Sequence, residues 1–268
     1  MGIACSTAVC SKEPLDTALA TIAGLGFEKI DHLTIDGWAH VNTQDLADDW
    51  DPTFERVDRL LCDHGLSPIA LNTGVSPQLH DRSAKAIARR TSEVDALVRL
   101  ASHCGVSIAA IQPRNADPDR PWDAVLADCV ETLREQKAVG DAAGLIFALE
   151  LHVRSPFETL EQARALCSAM PDMPLVYDPT HYVMQGIDIT DTGWLMDQAV
   201  HVHLRDAAPG ELQTHFGKGA VDFDWLFNSL KDRGYQGHFS IEYLQMKDMD
   251  VLDDVARMRD AIAKHFDA

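Results

Sequence analysis

The sequence predicts an α/β fold, a (β/α)8 barrel formed as a single domain over residues 1–268. Three observations predict it. Eight short apolar runs read as strands, helix-periodic segments separate them, and no linker, low-complexity stretch or shift in composition interrupts the chain. The runs fall at about 3–8, 28–33, 68–73, 107–112, 145–151, 174–178, 200–205 and 238–243. A doubly wound open sheet is the alternative, but its glycine-rich GxGxxG turn after the first strand is missing.

The first run, IACSTAV, is small and β-branched, as a strand requires. Leu15, Ala18, Leu19, Ile22 and Ala23 then recur at helical spacing behind Pro14, which is placed to open a helix. GLGFEKIDHL carries the chain through a glycine into the second strand. A glycine at a helix C-terminus accepts the left-handed cap, and an apolar run of four to six residues reads as a strand covered on both faces. HCGVSIAAIQ repeats this unit for the fourth strand, and Trp122, Val125, Leu126, Cys129, Val130 and Leu133 form the next amphipathic stripe. AAGLIFALEL gives the fifth strand, LVYD ends the sixth and HVHLRD the seventh. Phe223, Leu226, Phe227 and Leu230 mark a helix before RGYQGHFSIEYL, the eighth.

Composition narrows the function. Forty-two acidic against 23 basic residues give a formal charge of −19, which repels nucleic acid and anionic membrane surfaces and suits small substrates or divalent cations. No apolar stretch reaches the ~20 residues that span a bilayer, and the N-terminus lacks a signal-peptide pattern. A cytoplasmic protein with no membrane or nucleic-acid partner is expected. Cys5, Cys10, Cys62, Cys104, Cys129 and Cys167 show no zinc-ribbon spacing and read as reduced thiols.

Late strand positions of such a barrel point into one shared pocket, and alternate residues share a face. Glu150 and His152 share one on the fifth strand; Asp178 ends the sixth, with His181 three residues on; His201, His203 and Arg205 share a face of the seventh, and Ser240 and Glu242 of the eighth. One acid at a strand tip is usually a helix cap or an ion-pair partner. FALE and FSIE, however, each force a carboxylate into the barrel behind apolar residues, where an unpaired charge is very costly. Glu150, Asp178, His203 and Glu242 are therefore read as ligands of one divalent metal, Mn²⁺, Mg²⁺, Co²⁺ or Zn²⁺, a mixed oxygen and nitrogen set without thiolate. His201 is read as buried lower in the barrel. His152, His181 and Arg205 are candidates for proton transfer or oxyanion contact, and Asn72, Gln112 and Trp38 for contact with a polar substrate. Trp50, His40 and His80, on the segments DGWAHVNTQDLADDW and NTGVSPQLHD, are further candidates for specificity. No basic cluster is evident, which disfavours phosphorylated substrates.

ALELH, YDPTH, HVHLRD, GKGAVDF and GYQGHFSIEY resemble, in that order, motifs of the xylose isomerase-like TIM-barrel superfamily of sugar isomerases and epimerases, which includes endonuclease IV. The resemblance covers residues 145 to about 245 and, before that, only the βα rhythm. It implies the same four metal ligands. By analogy with the family's ketose 3-epimerases, it implies that Glu150 and Glu242 exchange the proton while the metal stabilises an enediolate formed next to a carbonyl. The expected activity is isomerisation or epimerisation of a keto-sugar, ketose or cyclitol; the alternative is a dehydratase acting on an inosose or 3-dehydroshikimate. Those 3-epimerases carry an arginine six residues after the metal histidine, where this chain has Pro209, so Arg205 is expected to take that role. A nuclease would need further histidines and an Asp-x-His that the chain lacks, and a non-catalytic barrel would be expected to lack one glutamate. A small polyhydroxy carbonyl compound is the expected partner, with a dimer or tetramer as the expected assembly.

Overall fold

Alternation along the strands decides where each side chain goes. Phe147 and Leu149 join the large core beneath the helices, while Ala148 and Glu150 turn inward. Val202 and Leu204 against His201 and His203, and Phe239 and Ile241 against Ser240 and Glu242, repeat the pattern. Strands with both faces buried need a layer on each side, and the chain supplies it by closing the sheet on itself inside a ring of helices.

The computed structural model describes residues 1–266. Its eight parallel barrel strands are β1 (Ile3–Ser6), β2 (Lys29–Ile35), β3 (Ser67–Gly74), β4 (Ile108–Ile111), β5 (Ile146–Glu150), β6 (Leu175–Tyr177), β7 (Ala199–Leu204) and β8 (His238–Ile241). Each pairs with its sequence neighbour, and β1 pairs with both β2 and β8, which closes the barrel. The register sets Ser6 beside Asp31 and Ser240 beside His203, so inward-facing polar groups from different strands meet at one height. Below them Ile108, Ala110, Ala148 and Val176 form a small apolar plug. The fold is the single-domain barrel expected from the sequence.

The outer layer consists of α1 (Leu15–Gly24), α2 (Thr43–Asp48), α3 (Trp50–His64), α4 (Ala84–Cys104), α5 (Trp122–Ala143), α6 (Leu160–Ala169), α7 (Thr180–Val183), α8 (Phe223–Asp232) and α9 (Leu252–Phe266). Gly144, at φ 73°, ends α5 and turns the chain into β5, a backbone conformation that a side chain would strain. Among the described residues, no helix is long and apolar enough to cross a membrane. All six cysteines are free.

Local chemistry moved several boundaries. β1 stops at Ser6, whose hydroxyl accepts from the Ala8 amide at 3.2 Å and starts a buried 3₁₀ turn over Thr7–Cys10. β6 and β8 stop at Tyr177 and Ile241, which leaves Asp178 and Glu242 as the first residues past their strands. The segment DGWAHVNTQDLADDW is more than a loop: Ala39–His40 pairs antiparallel to the end of β2, and α2 and the start of α3 follow.

Candidate metal centre

Inward-facing groups at the C-terminal ends of β5 to β8 meet in a buried cluster. His203 Nδ1 lies 3.0 Å from Glu150 Oε1 and 3.2 Å from Glu242 Oε2, so one ring nitrogen faces both glutamates. Its other nitrogen, Nε2, lies 3.0 Å from Asp31 Oδ2 on β2. The Arg205 guanidinium bridges the next pair, with Nη1 2.8 Å from Glu242 Oε2 and Nη2 2.9 Å from Asp178 Oδ2. All of these residues are 3% exposed or less, so the charges interact with little solvent screening.

Asp178 does two things at once. Its Oδ1 accepts from the backbone and hydroxyl of Thr180, at 2.8 and 2.5 Å, and holds the start of α7. Its Oδ2 faces Arg205 and, at 3.4 Å, His181 Nε2, but neither N–H points at it, and this buried oxygen has no hydrogen-bond partner. The strand-end cap and the candidate ligand atom are therefore two oxygens of one carboxylate. Glu150, His203 and Glu242 bring their ligand atoms within 4.8 Å of one another, as do Glu150, His152 and His181, and Asp31, His201 and His203.

The amides named from sequence both bind the glutamates. Asn72 Nδ2 donates to Glu242 Oε1 at 2.5 Å, and Gln112 Nε2 donates to Glu150 Oε2. His152 and His181 pack with ring centroids 3.9 Å apart and ring planes tilted by 44°, and His152 Nδ1 is bonded to the Val153 carbonyl at 2.6 Å. Burial, together with the neighbouring His181, lowers the His152 pKa to about 4. Burial also works against charge on Glu150, His203 and Arg205, yet each keeps it through its partners. The His203 cation and its bond, with His181 3.8 Å away, hold Glu150 well below the usual carboxylate range, Glu242 and Glu150 raise His203 well above its ordinary value, and Asp178 and Glu242 raise Arg205.

This donor set fits a divalent cation. Asp31, Glu150, Asp178 and Glu242 are four buried carboxylates facing the Arg205 guanidinium, and His203 would give up its proton to ligate, so the cluster carries excess negative charge that a divalent cation would offset. The unpartnered Asp178 Oδ2 points into the same space.

A cavity of ≈510 Å³ opens above the cluster, its floor formed by Arg205 and Glu242 and its walls including Trp38, Gln112, Arg114, His152 and Arg154. Trp38 is 44% exposed at its rim. The other specificity candidates lie elsewhere: His40 bonds Thr7 and the Cys10 carbonyl, His80 lies 3.7 Å from Asp117, and Trp50 packs between Phe54 and Arg99. Sequence reasoning missed Asp31, Arg114 and Arg154. Asp31 carried a usable signal, an acid within a strand between the apolar Ile30 and the pair His32–Leu33, akin to the argument that selected Glu150.

A family model described as xylose isomerase-like TIM barrel matches residues 19–265. An inosose isomerase from Bacillus velezensis is 24% identical over 191 residues, 67% of this chain and 68% of that protein. An L-ribulose-5-phosphate 3-epimerase from Escherichia coli is 40% identical over 62 residues, 23% of this chain and 22% of that one. In fold, the chain resembles a xylose isomerase-like TIM-barrel protein from Mycobacterium smegmatis solved in complex with magnesium, with TM-score 0.76, 17% identity, and coverage of 98% of this chain and 96% of that one.

Proposed function

The chain belongs to the xylose isomerase-like TIM-barrel family, and on that premise we propose that it is a divalent-metal-dependent isomerase or epimerase of a keto-sugar or cyclitol. The observation that carries this reading is the placement of Glu150 and Glu242 about one imidazole nitrogen, at 3.0 and 3.2 Å, beneath an open cavity. The names of the relatives, an inosose isomerase and a ribulose-phosphate epimerase, support the same reaction class.

Glu150, Asp178, His203 and Glu242 would hold the metal, with His203 binding through Nδ1. When bound, the ion would polarise a substrate carbonyl and raise the acidity of the neighbouring C–H. Glu150, kept ionised by its histidine neighbours, is suited to accept that proton. Glu242, which reaches the same ring nitrogen from the end of β8, would return a proton to the opposite face of the substrate, which gives epimerisation; return to the adjacent carbon gives isomerisation. The Gln112 and Asn72 amides fix the carboxylate orientations so that one oxygen of each points inward. Arg205, on the cavity floor, stabilises negative charge developing on the substrate oxygen. His152 is neutral at physiological pH and can hydrogen-bond a hydroxyl without adding charge.

Metal content and solvent-deuterium incorporation test the reading together. One divalent ion per chain is expected, lost in Asp178→Asn, with deuterium entering a ketose or inosose in the wild type and at least about 100-fold more slowly in Glu242→Gln. Loss of water from the substrate would assign the dehydratase reaction instead. A protein that binds no divalent ion, or a Glu242→Gln variant with full exchange, refutes the proposal.

A further inference from the structure

Resting on that reading, we propose that the substrate carries a terminal anionic group, a phosphate ester or a carboxylate, held at the cavity rim by Arg114 and Arg154. These arginines are 40 positions apart in sequence, so they form no basic run. The barrel brings the loops after β4 and β5 together, and both side chains line the cavity above Arg205 and Glu242.

Three observations converge on this rim. First, among the described residues, Arg114 at φ 60° and Arg154 at φ 64° are the non-glycine residues with positive φ. A side chain in the left-handed region is strained and persists where the surroundings impose it, commonly at ligand clamps. The loops are tied to each other there, since the Ala116 amide donates to the Arg154 carbonyl at 2.8 Å.

Second, neither guanidinium is paired with a carboxylate among the described residues. Arg114 Nη1 donates to the Asp36 backbone carbonyl at 3.3 Å, and the Asp36 carboxylate, also in the wall, accepts from Gln44 at 3.0 Å. Arg82 and Arg120, by contrast, are paired with Glu131, Glu135 and Asp128. Third, the chain's formal charge is −19, so two unpaired cations at the mouth of its candidate site form a local attractor for an anion against a repelling background. Arginine offers a planar fork of donors that matches a carboxylate or phosphate. The reacting end of the substrate would lie on Glu150, Glu242 and Arg205, and its charged end at the rim.

Calorimetric titration of the metal-loaded protein with a ketopentose, its terminal phosphate ester and its terminal carboxylate analogue tests this. At least one anionic ligand should bind about tenfold or more tighter than the neutral sugar, and that preference should shrink as salt rises from about 20 to 300 mM. Arg114→Gln and Arg154→Gln should each reduce the preference about fivefold or more, and Arg154→Lys should restore part of it. Tighter binding of the phosphate ester identifies a sugar phosphate, and tighter binding of the carboxylate a sugar acid. The proposal falls if the neutral sugar binds as well as both anions, if none of the three binds, or if the preference survives both substitutions in variants that retain the wild-type melting temperature. Metal content of the same samples separates the two failures: one ion per chain leaves the metal-centre reading standing, whereas none refutes that reading and this inference with it.

Discussion

Asp31 Oδ2 lies 3.0 Å from Nε2 of His203, on the side of the ring opposite the two glutamates. The same oxygen lies 3.3 Å from Nε2 of His201, to which it is hydrogen-bonded, so one buried carboxylate at the base of the cluster faces two imidazoles. Burial opposes its ionisation, but the bond from His201 and the neighbouring His203 hold its pKa well below the usual range. A carboxylate behind a ligating imidazole orients the ring and raises its basicity.

Asp31→Asn should therefore weaken metal binding about 10- to 100-fold while leaving all four proposed ligands in place. Competition against a calibrated chelator measures this, and an unchanged affinity would remove Asp31 from the site.

Asp206, the last residue of HVHLRD, organises a loop. Its carboxylate accepts from the amides of Ala207, Gly217, Gly219 and Val221 at 2.8 to 3.4 Å, and a Cβ at Gly219 would lie 2.1 Å from Oδ1. Asp206→Ala should cost about 2–4 kcal/mol, because buried amides lose their acceptor. Gly219→Ala should be destabilising through the same contact. Denaturant unfolding of both variants and their double mutant should give a combined loss well short of the sum.

Cys62 is the exposed thiol, whereas burial raises the others: Cys104 and Cys167 to about 11, Cys129 to about 12, and Cys5 and Cys10 upward as well. A thiol reagent at pH 8 should label one cysteine rapidly and the rest only on unfolding. Cys62→Ser should abolish the rapid phase.

His32 is buried in β2, and neither ring nitrogen has a partner. Burial, with His40 nearby, lowers its pKa from 6.5 to about 3. As pH falls below 6.5 the unfolded chain takes up this proton before the folded one, so stability present above that pH is lost on acidification toward about 3, at up to about 1.4 kcal/mol per pH unit. His32→Leu should flatten the stability profile between about pH 6 and 4 relative to wild type, as measured by denaturant unfolding across that range.

Sequence alone determined the barrel and the residues at its mouth, because burial periodicity is local. FALE, HVHLR and FSIE each state which residues face the helices and which face inward, and eight such runs in one domain leave little choice of closure. It could not determine which residues far apart in the chain come together. Tertiary structure set Asp31 behind His203, turned the Asn72 amide onto Glu242, and brought Arg114 beside the same cavity as Arg154. Those relations depend on strand register and loop closure, which no local pattern encodes, and they decide how the inward-facing groups are oriented and what sits at the rim above them.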